Sequence, residues 1–163
     1  MTLLLVGNQG TRSNQGSRSP MTHATAQVTE ATTPSKSLRI SLWAVQGFMA
    51  VVFIGTGLWK LLTPIPELAA MIPWAGQVPA AFLHATGLID LCGGLGILLP
   101  SLTRIKPGLA VLAALGCAAL QVSAVVFHLS RGEAANTPFN VLLVALAVFV
   151  AWGRRAKAPI PPR

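Results

Sequence analysis

Read for its alternation of oily and polar positions, the chain falls into a polar stretch followed by four apolar runs. The runs are Ile40 to Leu62, Val78 to Leu99, Gly108 to Leu129 and Pro138 to Trp152. A helix rises about 1.5 Å per residue, so crossing a bilayer takes about 20 predominantly apolar residues. The first three runs meet that length. The fourth is shorter, and its flanking residues together with local bilayer adjustment are expected to complete the crossing. A buried half-helix is the alternative for this run; the basic stretch GRRAK that follows it favours a full crossing.

Residues 1–38 are of a different kind. NQGTRSNQGSRSP and the Thr/Ser/Ala-rich segment after it have no periodic apolar face, so a disordered tail is expected there. Leu3 to Val6 is too short for the apolar part of a signal peptide and no basic residue precedes it. Met21 stands as an alternative start to Met1. The expected organisation is therefore tail 1–38, membrane domain 39–157 and a short C-terminal tail 158–163.

Composition supports lipid as part of the solvent. The chain is 53% hydrophobic and only 10% charged, against roughly 25% charged in soluble domains. The net charge of +8 would suit nucleic acid, but the basic residues flank apolar runs and form no aromatic-interleaved patch, so nucleic acid is not an expected partner. Lys36 and Arg39 precede the first span, Arg104 and Lys106 join the second to the third, and Arg154, Arg155 and Lys157 follow the fourth. Lys60 and Arg131 fall on the other side, each with an acid nearby, Glu67 and Glu133. The positive-inside rule then puts both termini in the cytoplasm, which an even number of spans also requires. The predicted fold is all-α, an integral membrane four-helix bundle in a bacterial-type cytoplasmic membrane.

Proline divides the loop TPIPELAAMIPWAGQVP, and Pro64, Pro66, Pro73 and Pro79 exclude one continuous helix. The loop reads equally as an interfacial lid, with Met71, Ile72 and Trp74 at the membrane surface, or as a plain connector. Trp43 and Trp152 read as interfacial belt residues, Trp59 as belt or bundle, and Arg131 and Glu133 as a solvated turn.

The polar residues inside the spans share faces. Gly87, Asp90 and Gly94 align on the second span, and Ala114, Cys117, Gln121 and His128 on the third. Gln46, Ala50, Gly57 and Lys60 align on the first, Asn140 and Ala147 on the fourth. Counted from the outer helix ends, Lys60, His128 and Asn140 lie within roughly 5 Å of the surface, His84 about 9 Å and Gln121 about 12 Å down, and Asp90 roughly 18 Å deep. On these depths an Asp90–Lys60 or Asp90–His128 salt bridge is not expected, and Gln121 and Gln46 are the better partners. A carboxylate at the bilayer centre costs about 2.5–3.5 kcal/mol on insertion scales, more than the roughly 0.6 kcal/mol of an average interhelical hydrogen bond. Asp90 is thus a functional candidate as much as a cross-link between helices. Asp90, His128, Lys60, Asn140, Gln121 and His84 form the set of ligand-binding or proton-handling candidates. No residue is assigned as catalytic. The His spacing holds no metal pattern, and Cys92 and Cys117 form no CxxC pair. P-loop, dinucleotide, GxSxG and haem motifs do not occur.

Three segments resemble the DoxX-like family of small four-helix membrane proteins: FIGTGLWKL, LIDLCGGLGILLPSLTRIKP and VFHLSRGEAANTPFN. The resemblance covers roughly Leu38 to Lys157, and Lys60, Asp90, His128 and Asn140 match the family's recurring polar positions. Family members commonly carry glutamate where this chain has Asp90. The resemblance implies the four-helix fold and, by association with a quinone-linked oxidase complex and with thiol-handling proteins, a redox setting. The expectation is an accessory or ligand-holding component of a membrane redox process, with no cofactor motif of its own, quinone as the implied ligand and redox-enzyme subunits as partners beside the lipid bilayer. The rival expectations are a small proton-coupled transporter or exporter using Asp90, and a purely structural membrane scaffold.

Overall fold

The computed structural model describes residues 34–163; the expected disordered tail up to Thr33, and the choice between Met1 and Met21, lie outside the described residues. Among these described residues five α-helices follow one another: α1 (Lys36–Leu62), α2 (Ile65–Met71), α3 (Ala80–Thr103), α4 (Gly108–Ser130) and α5 (Thr137–Trp152). Four helical segments are long and apolar enough to cross a membrane: Lys36–Leu62, Ala80–Thr103, Gly108–Ser130 and Ala134–Lys157. The fourth reaches that length because a 3₁₀ turn, Ala134–Asn136, precedes α5 and a π turn, Gly153–Lys157, extends it. The half-helix alternative for this segment is not what forms.

Local chemistry sets the ends. The Ser35 side chain accepts a hydrogen bond from the Leu38 amide and caps α1. Thr63 leaves the helix in an extended conformation (φ −86°, ψ 133°), as a residue before proline prefers. The loop prolines cut the following segment into α2 and a 3₁₀ turn, Pro73–Gly76. The second span runs one turn beyond the predicted end at Leu99, through Pro100 to Thr103. Pro100 offers no N–H to the Gly96 carbonyl, and around it Ser101 and Thr103 bond back to the Ile97 and Leu99 carbonyls. Arg104 then turns left-handed (φ 60°) and Pro107 opens the way to α4.

Each spanning helix packs on its neighbours in chain order, and α5 closes the bundle against α1. The α1–α3 seam is the tightest. A Cβ on Gly57 would stand 2.7 Å from the Gly87 carbonyl oxygen, and one on Gly94 would stand 3.0 Å from the Ile54 amide nitrogen. Two backbones approach this closely only where no side chain intervenes. The central core is built from Met49, Phe53, Ile97, Ala114, Cys117, Leu143, Ala147 and Val150. A satellite core of Leu68, Ala75 and Leu83 ties the α1–α3 loop down onto the bundle, with Trp59, Ile72 and Trp74 packed against it.

The exterior is apolar. Val51, Leu112, Val126 and Val148 are more than half exposed, and only 22–28% of each spanning window is buried within the protein. Such surface requires lipid, so this is a multi-pass membrane protein whose bundle sits in the bilayer.

Candidate functional site

The antiparallel arrangement gathers charge at one end. Lys36 and Arg39 of α1, Arg104 and Lys106 of the α3–α4 loop, and Arg154, Arg155 and Lys157 beyond α5 share this basic end. The opposite end carries Glu67 and Glu133 in its connections, and there a cavity of about 320 Å³ lies between the helices.

Aromatic side chains wall this cavity: Phe53, Trp59, Trp74, Phe82 and Phe127. Its polar lining includes Thr56, Lys60, Asp90, Gln121, His128 and Asn140. Five of the six sequence candidates thus meet in one space. His84 does not, because its position on α3 is exposed on the outside of the bundle.

Lys60 and Asp90 form a direct ion pair, Nζ to Oδ2 2.7 Å, with side chains only 16% and 4% exposed. The depth count from sequence placed these groups too far apart for contact. It took the outer ends of the helices as level, whereas the Gly57–Gly87 approach sets α3 protruding past α1. Lys60 therefore sits about one turn above Asp90, and its long stem spans the remainder. Gln46, an expected Asp90 partner, lies elsewhere. It donates to the Ile97 carbonyl (3.0 Å) and to Ser101 Oγ (2.9 Å), two to three turns further along α3. Gln121 does line the cavity, but its Oε1 is buried without a hydrogen-bond partner.

The mouth is organised by the two loops at this end. His128 Nδ1 lies 2.8 Å from Glu133 Oε2, and Arg131 Nε donates to Glu133 Oε1 at 2.9 Å. Arg131 also reaches across to Gln77 of the α1–α3 loop. The hydrogen bond from His128 and then that from Arg131 hold Glu133 below its ordinary value of 4.5. With Glu133 ionised, His128 Nδ1 carries the shared proton. Arg131 and Glu133 thus occupy the partly exposed outer turn expected from sequence, and are paired there with each other and with His128. Trp74 stands edge-on to Phe127 (5.7 Å between centroids) and to His128 (6.4 Å), and Lys60 Nζ lies 5.7 Å from its ring centre. The loop is therefore a lid, fastened by Trp74 and the Gln77–Arg131 contact.

Sequence reasoning missed a second polar cluster at the basic end. Arg154, read as a flanking charge, is 6% exposed and donates through Nε to Gln46 Oε1 at 2.6 Å. Its guanidinium lies 4.9 Å from the Trp43 ring centre, which gives that tryptophan a partner beyond the interfacial belt. The only advance signal was Gln46 itself, a strong hydrogen-bonding group needing partners inside lipid.

No curated protein and no solved structure matches the chain. The model of the DoxX-like family matches residues 44–150, a stretch that takes in Lys60, Asp90, Gln121, His128 and Asn140 and all but the flanks of the four spans. With that match on a four-helix membrane bundle of this kind, the chain belongs to the DoxX-like family.

Proposed function

We propose that this protein holds a small amphipathic ring ligand, a quinone or its reduced quinol, as a non-enzymatic component of a membrane redox process. The basic end faces the cytoplasm of a bacterial-type cell on this reading, by the positive-inside rule, and the cavity opens toward the other side. The observation that carries the proposal is Gln121 Oε1, an acceptor buried without a partner in the wall of the aromatic cavity. A buried orphan acceptor is costly, and a ligand hydroxyl would satisfy it.

The rest of the lining fits the same class. Lys60 Nζ and the Asn140 amide supply donors for a carbonyl oxygen, and Trp59, Trp74 and Phe127 supply ring faces for stacking. The volume of about 320 Å³ suits a ring headgroup, since ligand pockets start at about 300 Å³. A quinone would contribute two-electron redox capacity, which fits redox-enzyme subunits as partners. A proton-coupled transport role for Asp90 has less support, because Lys60 already holds the carboxylate at 2.7 Å.

The test is purification from quinone-containing native membranes, organic extraction, and identification of the extract by absorbance and mass. The expected result is a stoichiometric ring ligand that Gln121→Leu loses while its helical circular dichroism is unchanged. Protein free of such a ligand, or a Gln121→Leu variant that keeps it, would sink the proposal.

A further inference from the structure

We infer that the basic end carries a binding site for a phosphate-bearing anionic lipid, in a groove between the start of α4 and the segment that follows α5. The groove measures about 410 Å³. Val111, Leu112, Leu115 and Ile160 form its apolar walls, and Arg154 and Arg155 its charged lining.

Three observations converge on an anion. Arg154 is 94% buried, yet its Nη2 has no hydrogen-bond partner, while Nε is committed to Gln46. A guanidinium offers five donors in a planar fork that matches phosphate oxygens, so a buried one with an unmade bond is an incomplete phosphate or carboxylate site. Next, the groove includes Gly108 in the first turn of α4, where the helix dipole is positive and attracts anions. Last, no Asp or Glu side chain among the described residues stands at this end, since Glu67, Asp90 and Glu133 all belong to the cavity half. Nothing on these side chains competes for the guanidinium.

The apolar walls decide the source of the phosphate. Leu112 and Leu115 are 64% and 48% exposed on the lipid side of α4. A headgroup placed at Arg154 and Arg155 therefore has its acyl chains running down a greasy helix face, at the depth where basic pockets between helices meet anionic headgroups. A free phosphate would gain nothing from these walls. The segment after α5 is held in place as the second wall, because the Arg163 amide bonds back to the Arg104 carbonyl.

The experiment is native mass spectrometry of the full chain in detergent, titrated separately with phosphatidylglycerol, phosphatidylcholine and inorganic phosphate. Phosphatidylglycerol should bind about tenfold or more tightly than phosphatidylcholine, and phosphate should not displace it. Arg155→Gln should weaken phosphatidylglycerol roughly fivefold, whereas Lys157→Gln, at the same end but outside the groove, should change it by less than about twofold. Arg154→Gln should abolish the preference provided that its helical circular dichroism is retained; if it does not fold, the Arg155 and Lys157 pair still decides. Equal binding of the two lipids, equal losses in Arg155→Gln and Lys157→Gln, or displacement by phosphate alone would overturn the assignment.

Discussion

The two ends of the bundle solve the same problem differently. At each end, polar side chains from different helices meet inside lipid, where an unpaired group is expensive. At the basic end Gln46 donates to Ser101 and the Ile97 carbonyl and accepts from Arg154 in a packed cluster, leaving one donor, Arg154 Nη2, unmet. At the cavity end Lys60 and Asp90 neutralise each other but the helices do not close, and the unmet atom is an acceptor, Gln121 Oε1. The difference is chemical as well as geometric: a donor left over invites an anion, and an acceptor beside a cavity invites a hydroxyl. A buried polar group in this protein is therefore best read by what it still lacks.

Experiments that break each end separately sharpen the comparison. The largest effect is expected from Lys60→Ala, which strands the 4%-exposed Asp90; loss of one partner of a buried pair costs about 3–5 kcal/mol. Unfolding in detergent should show it, and Lys60→Met combined with Asp90→Leu should regain most of the loss. If the single and double variants are equally unstable, the pair is not the source of the effect.

Gln46→Leu should come next, at about 1–3 kcal/mol, because it leaves Arg154 Nε without its acceptor. Gln121→Leu, compared in ligand-free protein, should by contrast be neutral or slightly stabilising, by up to about 1 kcal/mol, since it removes an atom that bonds nothing in the protein. Equal costs for the two glutamines, measured by the same thermal melts, would erase the distinction drawn between the ends.

Gly57→Ala probes the seam that sets the cavity's register. Its Cβ would press on the Gly87 carbonyl, so a loss of about 1–3 kcal/mol is expected. Unchanged melting would mean that the seam yields readily.

The smallest effect concerns pH. Glu133 is held below its ordinary value of 4.5 by His128 and then Arg131, so its contribution is complete above about 4.5 and fades as pH falls through the lowered value. Glu133→Gln should flatten that acid limb of the melting curve, lying slightly below the parent at neutral pH and converging with it at low pH. An identical acid limb in the variant would show that the lid is held by Trp74 and its neighbours alone.

Much of this protein is dictated locally, and sequence carries local rules well. Span lengths, the proline breaks of the loop, the clustering of basic residues and the shared faces of Asp90, Gln121 and His128 all follow from helical period and hydropathy. The family match rests on the same segments. Only the tertiary structure decided who meets whom across the helices. The Lys60–Asp90 pair depends on a stagger of α3 past α1 that glycine contacts impose, and a count along either helix alone contains no information about stagger. Arg154 was legible as a charge but not as a buried one, because its burial depends on the π turn carrying it back toward Gln46. Periodicity says which side of a helix a residue occupies; the height at which two helices lock comes from side-chain volumes at their seam, and in this chain those volumes are mostly the absence of one.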